Sequence, residues 1–104
     1  FNYVDMHTQK DGCELTFHHD DTLVPGIPFR SLIPRGSSRI TVAGRIVSAE
    51  RMALAGIRAQ CTCMAMGQAM GAAAALAIRR GVPSRDIDSR DIVALTGEHG
   101  AVPV

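Results

Sequence analysis

A chain of 104 residues with a net charge of +1 and 46% apolar side chains is one small domain or a piece of a larger one. Its near-neutral balance, with one Tyr, three Phe and no Trp, gives no reason to expect nucleic acid or an anionic membrane surface as partner. Three cysteines, Cys13, Cys61 and Cys63, are too few and odd in number for a disulfide scaffold, which fits a reducing cytoplasm. The chain opens on Phe1 without a basic and apolar leader, and is expected to be cut from something longer with no export signal.

The first half reads as strands. Residues Cys13 to His18 alternate, with Leu15 and Phe17 on one face and Glu14 and Thr16 on the other, and Asp11-Gly12 marks a turn. Tyr3–His7 and Glu14–His18 are therefore expected to pair as a hairpin. Pro25-Gly26, Pro28 and the run Pro34-Arg35-Gly36-Ser37-Ser38 punctuate the next stretch, and Arg39–Ala43 reads as a short strand running into Gly44.

The second half reads as helices. Ser48 is placed to cap a short helix through about Ala55, broken by Gly56. Thr62 to Arg80 is a nearly unbroken run of Ala, Met, Gly and Leu, with Thr62 as N-cap, Arg79 and Arg80 at the C-terminal end, then Gly81 and Pro83 as stop signals. A last helix is expected after Asp88, over Ser89–Thr96. In the long helix each of Gly67 and Gly71 costs about 1 kcal/mol against Ala. Two such glycines suit a close approach by a neighbouring element or a ligand.

That same helix raises a rival reading, a small membrane-anchored or helix-interaction protein using the Gly67/Gly71 face. The run from Cys61 to Ile78 approaches the length of a span and carries the G-x-x-x-G spacing. Against a span, it is mostly Ala and Gly, contains Gln68 and has no flanking aromatic belt.

From Ile27 to Gly81 the ordered motifs carry more information than the composition. They are Ile27-Pro28-Phe29-Arg30-Ser31-Leu32-Ile33-Pro34, Val42-Ala43-Gly44-Arg45-Ile46-Val47-Ser48, Gly56-Ile57-Arg58, and Thr62-Cys63-Met64-Ala65-Met66-Gly67-Gln68-Ala69-Met70-Gly71-Ala72-Ala73-Ala74. In this order and spacing the sequence resembles the C-terminal segment of a bacterial family of FAD-dependent oxidoreductases, relatives of the glutathione-reductase-like flavoproteins. The resemblance implies an α/β fold, a C-terminal fragment of an FAD-binding Rossmann-like domain, with residues 1–34 a strand-rich edge and residues 35–104 the flavin-contacting strand and helices. It also implies FAD as cofactor, an organic small-molecule substrate, and the remainder of the FAD-binding domain as partner.

By position in these motifs, the resemblance implies that Gly44 lets the backbone approach the cofactor. Thr62, Cys63 and Met64 would present helix-start amides to the electron-rich edge of the flavin, and Gly67 would let the helix lie close. Arg45 and Arg58 would pair with FAD oxygens or an anionic substrate, or else join structural ion pairs with Asp20, Asp21 or Glu50. Arg30 and Arg51 are candidate substrate-binding residues. The sequence departs from the family at Cys61, Arg51 and Arg39, where proline, histidine and asparagine are common; an arginine at 51 cannot shuttle protons near neutral pH. No G-x-G-x-x-G occurs, so the pyrophosphate-binding half of the site is not in this sequence.

Two further constellations compete. His18-His19-Asp20-Asp21 with His7 and the Cys61/Cys63 pair could form a metal-binding module. However, a one-residue gap makes joint chelation by the thiols awkward, and adjacent strand residues face opposite ways. Cys63 at a helix start could act as a nucleophile, but no base partner is evident in the sequence.

Overall fold

The computed structural model describes residues 3–8, 12–17 and 26–101, the first two stretches as backbone only. Two strands, β1 (Tyr3–Thr8) and β2 (Gly12–Phe17), pair antiparallel with Tyr3 opposite Phe17 and Thr8 opposite Gly12. No strand lies beyond this hairpin among the described residues. Residues 26–101 are 63% helical. The expected α/β fold, a Rossmann-like fragment, is therefore overturned in favour of a mainly helical chain.

The residues expected to form the flavin-contacting strand show why. Ala43 has extended backbone, φ −146° and ψ 158°. Yet among the described residues the segment is held by one backbone bond, from the Val42 N–H to the Leu32 carbonyl at 2.9 Å. An extended segment becomes a strand only when a neighbour completes a ladder, and one bond is not a ladder. The stretch expected to be strand-rich through Ile33 likewise ends in a 3-10 turn, Phe29–Leu32.

Three α-helices follow among the described residues: α1 (Arg51–Ile57), α2 (Gln60–Arg80) and α3 (Ser89–Glu98). Ser48 does not cap α1. The N-cap is Glu50, without a side-chain cap bond, and Gly56 lies inside the helix, the break falling at Arg58-Ala59. At its far end α2 stops where the sequence says it must. Gly81 takes the left-handed conformation (φ +66°), its N–H bonds to the Ile78 carbonyl, and the Val82 N–H reaches the Ala77 carbonyl at 3.1 Å.

The core is one stripe of α2. Met66, Met70, Ala73, Leu76 and Ala77 are buried at helical spacing against Leu32 and Val47 from the preceding loops and Ile87 and Ile92 from the α3 side. Ala73 is completely buried, so its methyl sets how closely α2 meets its neighbours. The other face of α2 is open: Met64, Gly67, Gln68, Gly71, Ala75 and Ile78 are exposed. By length and composition α2 could cross a membrane, with a mean hydropathy of 1.5 over 18 residues. Its one-sided buried stripe is what the core helix of a soluble domain also presents.

The start of α3 is held electrostatically. Asp88 is the N-cap, accepting from the Arg90 N–H at 2.9 Å and from the Arg90 Nη2 at 2.7 Å. Hydrogen bonds from the Arg90 side chain, and then from its backbone, pull the Asp88 carboxyl down from 3.8 to about 2. A depressed carboxyl stabilises the fold above its unfolded value and loses that stabilisation as pH falls toward its folded value. The acid-induced drop in melting temperature should therefore be steeper between pH 3.8 and about 2 in the wild type than in Asp88→Asn. Identical slopes in the two proteins would remove this role from Asp88.

Candidate functional site

Three chain segments meet at the beginning of α2. The extended backbone at Ala43 turns at Gly44, whose φ of +81° is the left-handed conformation, into a 3-10 turn over Gly44–Ile46. Buried Val47 anchors that turn and donates its N–H to the Gly44 carbonyl at 3.2 Å. A Cβ built on Gly44 would lie 3.8 Å from the Cys63 Cβ and 3.9 Å from its Sγ. The missing side chain of Gly44 thus faces Cys63, in the first turns of α2.

The next residue ties in the third segment. Arg45 donates from Nε to the Arg58 carbonyl at 3.1 Å. Arg58 is the C-cap of α1, where carbonyls lack helical partners and a cation is favoured. The Cys63 thiol lies 3.8 Å from the same carbonyl and 4.0 Å from that of Ile57, contacts too long to count for more than weak polar packing. Gly44, Arg45, Arg58 and Cys63 are thereby brought together from positions up to 19 apart in the chain.

The helix start itself lies two residues upstream of Thr62. With Ala59 as N-cap, the amides lacking helical partners include those of Gln60, Cys61 and Thr62. The Cys63 N–H is already bonded to the Ala59 carbonyl at 3.0 Å. Of the expected trio Thr62, Cys63 and Met64, only Thr62 keeps such an amide. Met64 instead offers a side chain that is 69% exposed.

The remaining candidates lie around this junction. Arg30 is exposed in the 3-10 turn Phe29–Leu32, Arg51 is exposed at the first residue of α1, and Arg58 is half-buried. Arg51 and Arg58 are each engaged in interactions of their own. Gly67 and Gly71 lie on the open face of α2, with no atom within 4 Å of a Cβ built at either among the described residues. Nothing among the described residues therefore makes the close approach that these glycines suggest.

No group of three or more His, Cys, Asp or Glu residues able to hold a metal occurs among the described residues. His18, His19, Asp20 and Asp21 lie outside them, as do the side chains of His7 and Cys13. Cys61 is exposed and Cys63 half-buried. Sequence reasoning missed an open groove of about 270 Å³ between α2 and α3, lined by Gln68, Gly71, Ala72, Ala75, Leu95, Thr96 and His99. Small residues at 71, 72 and 75, which leave room beside a neighbouring helix, were the available signal.

The chain matches the model of the FAD dependent oxidoreductase family over residues 2–95. The match spans the hairpin, the junction and α2, and reaches Leu95 in α3. No curated protein and no solved structure matches the chain.

Proposed function

Because the chain belongs to the FAD dependent oxidoreductase family, we propose that the junction at the start of α2 forms one edge of the flavin site in an enzyme that moves hydride between an organic substrate and FAD. Bound FAD supplies the redox chemistry, accepting or giving two electrons. The observation that carries this reading is the convergence of Gly44, Arg45 and Arg58 on the first turn of α2.

The donor set there suits an electron-rich ring edge. The Gln60–Thr62 amides and the positive end of a 21-residue helix favour negative charge. Arg45, exposed and held by its Nε, is oriented with the rest of its guanidinium beyond that bond. Gly44 holds the turn against Cys63, so the peptide leading into the site keeps one conformation. The absence of any G-x-G-x-x-G supports a chain that contributes one part of the FAD site, as the C-terminal segment of a flavoprotein whose remaining domain grips the pyrophosphate. In this reading the open Gly67/Gly71 face of α2 is where that remainder packs, and the enzyme works in the cytoplasm on a small molecule, without membrane or nucleic acid.

The test is a reduction potential. In the intact protein Thr62→Asp places a carboxylate among the helix-start amides and should lower the flavin potential by about 10–40 mV. That range takes about 0.5–2 kcal/mol for a charge at a helix end, and 30 mV per ~1.4 kcal/mol for a two-electron couple. A variant that binds FAD normally at an unchanged potential would place the flavin elsewhere.

A further inference from the structure

Charge is segregated along the described chain. Residues 26–58 carry six arginines and one acid, Glu50, whereas residues 59–101 carry four charges of each sign. In the second stretch three of the four arginines sit near carboxylates: Arg80 and Asp91 at 2.6 Å, Arg90 and Asp88 at 2.7 Å, Arg85 and Asp86 at 3.9 Å. The fourth, Arg79, lies in the last turn of α2, where the dipole favours a cation. In the first stretch Arg45 is tied to a carbonyl, and Arg51 and Arg58 are engaged. Arg30, Arg35 and Arg39 are exposed and pair with no carboxylate among the described residues.

The segment that carries them is ordered by its own bonds. Its base is closed by the Val42 N–H to Leu32 carbonyl bond at 2.9 Å, and Leu32 is buried in the core. Within it the Ser37 N–H bonds to the Pro34 carbonyl at 3.1 Å, around Gly36 at φ +79°. The Ile40 N–H bonds to Ser37 Oγ at 3.0 Å. Arg35 and Arg39 are thus displayed on a loop with internal order, and Arg30 stands two residues before its base. Like charges on one loop with no paired carboxylate among the described residues oppose folding, and arginine cannot relieve this by losing its proton. Ten of the eleven basic residues are arginine, the side chain whose planar fork matches a carboxylate.

We propose that the Leu32–Val42 loop, with Arg30, Arg35 and Arg39, is the recognition site for the enzyme's organic substrate, and that this substrate is a small carboxylate. The proposal rests on the reading of the chain as part of a flavoenzyme. Arg30, Arg35 and Arg39 are only three charges in a chain of net charge +1, and Phe29 is the lone aromatic within residues 26–58. Both features disfavour a polyanion such as nucleic acid. The loop leads directly through Ala43 into Gly44, so an anion held there lies on the chain segment entering the proposed flavin edge.

Calorimetric titration of the intact protein with succinate, its neutral diamide and inorganic phosphate tests this. Succinate should bind, the diamide should not, and phosphate should bind more weakly. The double variant Arg35→Gln/Arg39→Gln should weaken succinate binding about tenfold or more while FAD content stays unchanged and the melting temperature does not fall. Equal binding of succinate and its diamide, no binding of either, or full succinate affinity in the double variant overturns the proposal. Phosphate binding tighter than succinate overturns the carboxylate assignment. A protein that binds succinate through these arginines but carries no FAD would uphold the anion site and defeat the flavin reading instead.

Discussion

Gly44→Val should destabilise the protein by about 2–6 kcal/mol and weaken FAD binding by about tenfold or more. The stability loss has two sources. At φ +81° a non-glycine residue pays about 1–3 kcal/mol, and a β-branched one is the least tolerated there. The γ-methyls of valine would then reach past a Cβ position already 3.8 Å from Cys63, forcing the turn away from α2 at a further ~1–3 kcal/mol. Gly44→Ala separates the two sources, because its Cβ makes ordinary contacts and only the conformational cost of about 1–2 kcal/mol remains. On the proposed site, flavin affinity falls because Arg45 follows directly on this turn and Gly44 sets its distance from Cys63 at the start of α2. Urea denaturation of both variants, with FAD titration of the folded fraction, gives the two readouts. A folded Gly44→Val protein with unchanged FAD affinity would refute the site assignment, and one with unchanged stability would refute the conformational argument.

Met70→Ala and its neighbour Gly71→Ala should move stability in opposite directions wherever the open face of α2 is uncovered. Met70 is buried in the middle of the core stripe, and truncating it should cost about 2–5 kcal/mol through lost burial and a residual cavity. Gly71 faces away, with nothing within 4 Å of an added Cβ among the described residues. There the better helix propensity of alanine should add up to about 1 kcal/mol. If the rest of the FAD-binding domain packs on that face, as proposed, Gly71→Ala in the intact enzyme should instead destabilise by introducing a methyl into a tight contact. Denaturation midpoints of both variants decide this. A Met70→Ala cost below about 0.5 kcal/mol, typical of surface positions, would show that the stripe is not the core.

Family membership was legible in the sequence, because ordered short motifs survive without any knowledge of the fold. The ends of elements set by local chemistry were legible too. Gly81 and Pro83 stop α2, and Asp88 caps α3 at Ser89, because each acts on backbone groups within one helical turn. The start of α2 was not. Thr62 is a good N-cap in isolation, yet the helix runs back to Gln60, where Arg58 and Ala59 turn the chain from α1 into α2. The segment from Ile40 to Ala43 carries strand-forming residues and is extended at Ala43, but among the described residues its neighbour supplies one backbone hydrogen bond, which makes no ladder. Only the tertiary structure placed Gly44 on Cys63 and Arg45 on the Arg58 carbonyl. Helix stops and caps depend on residues a few positions away, whereas ladders, helix starts at packed junctions and glycine contacts depend on partners that sequence spacing does not reveal.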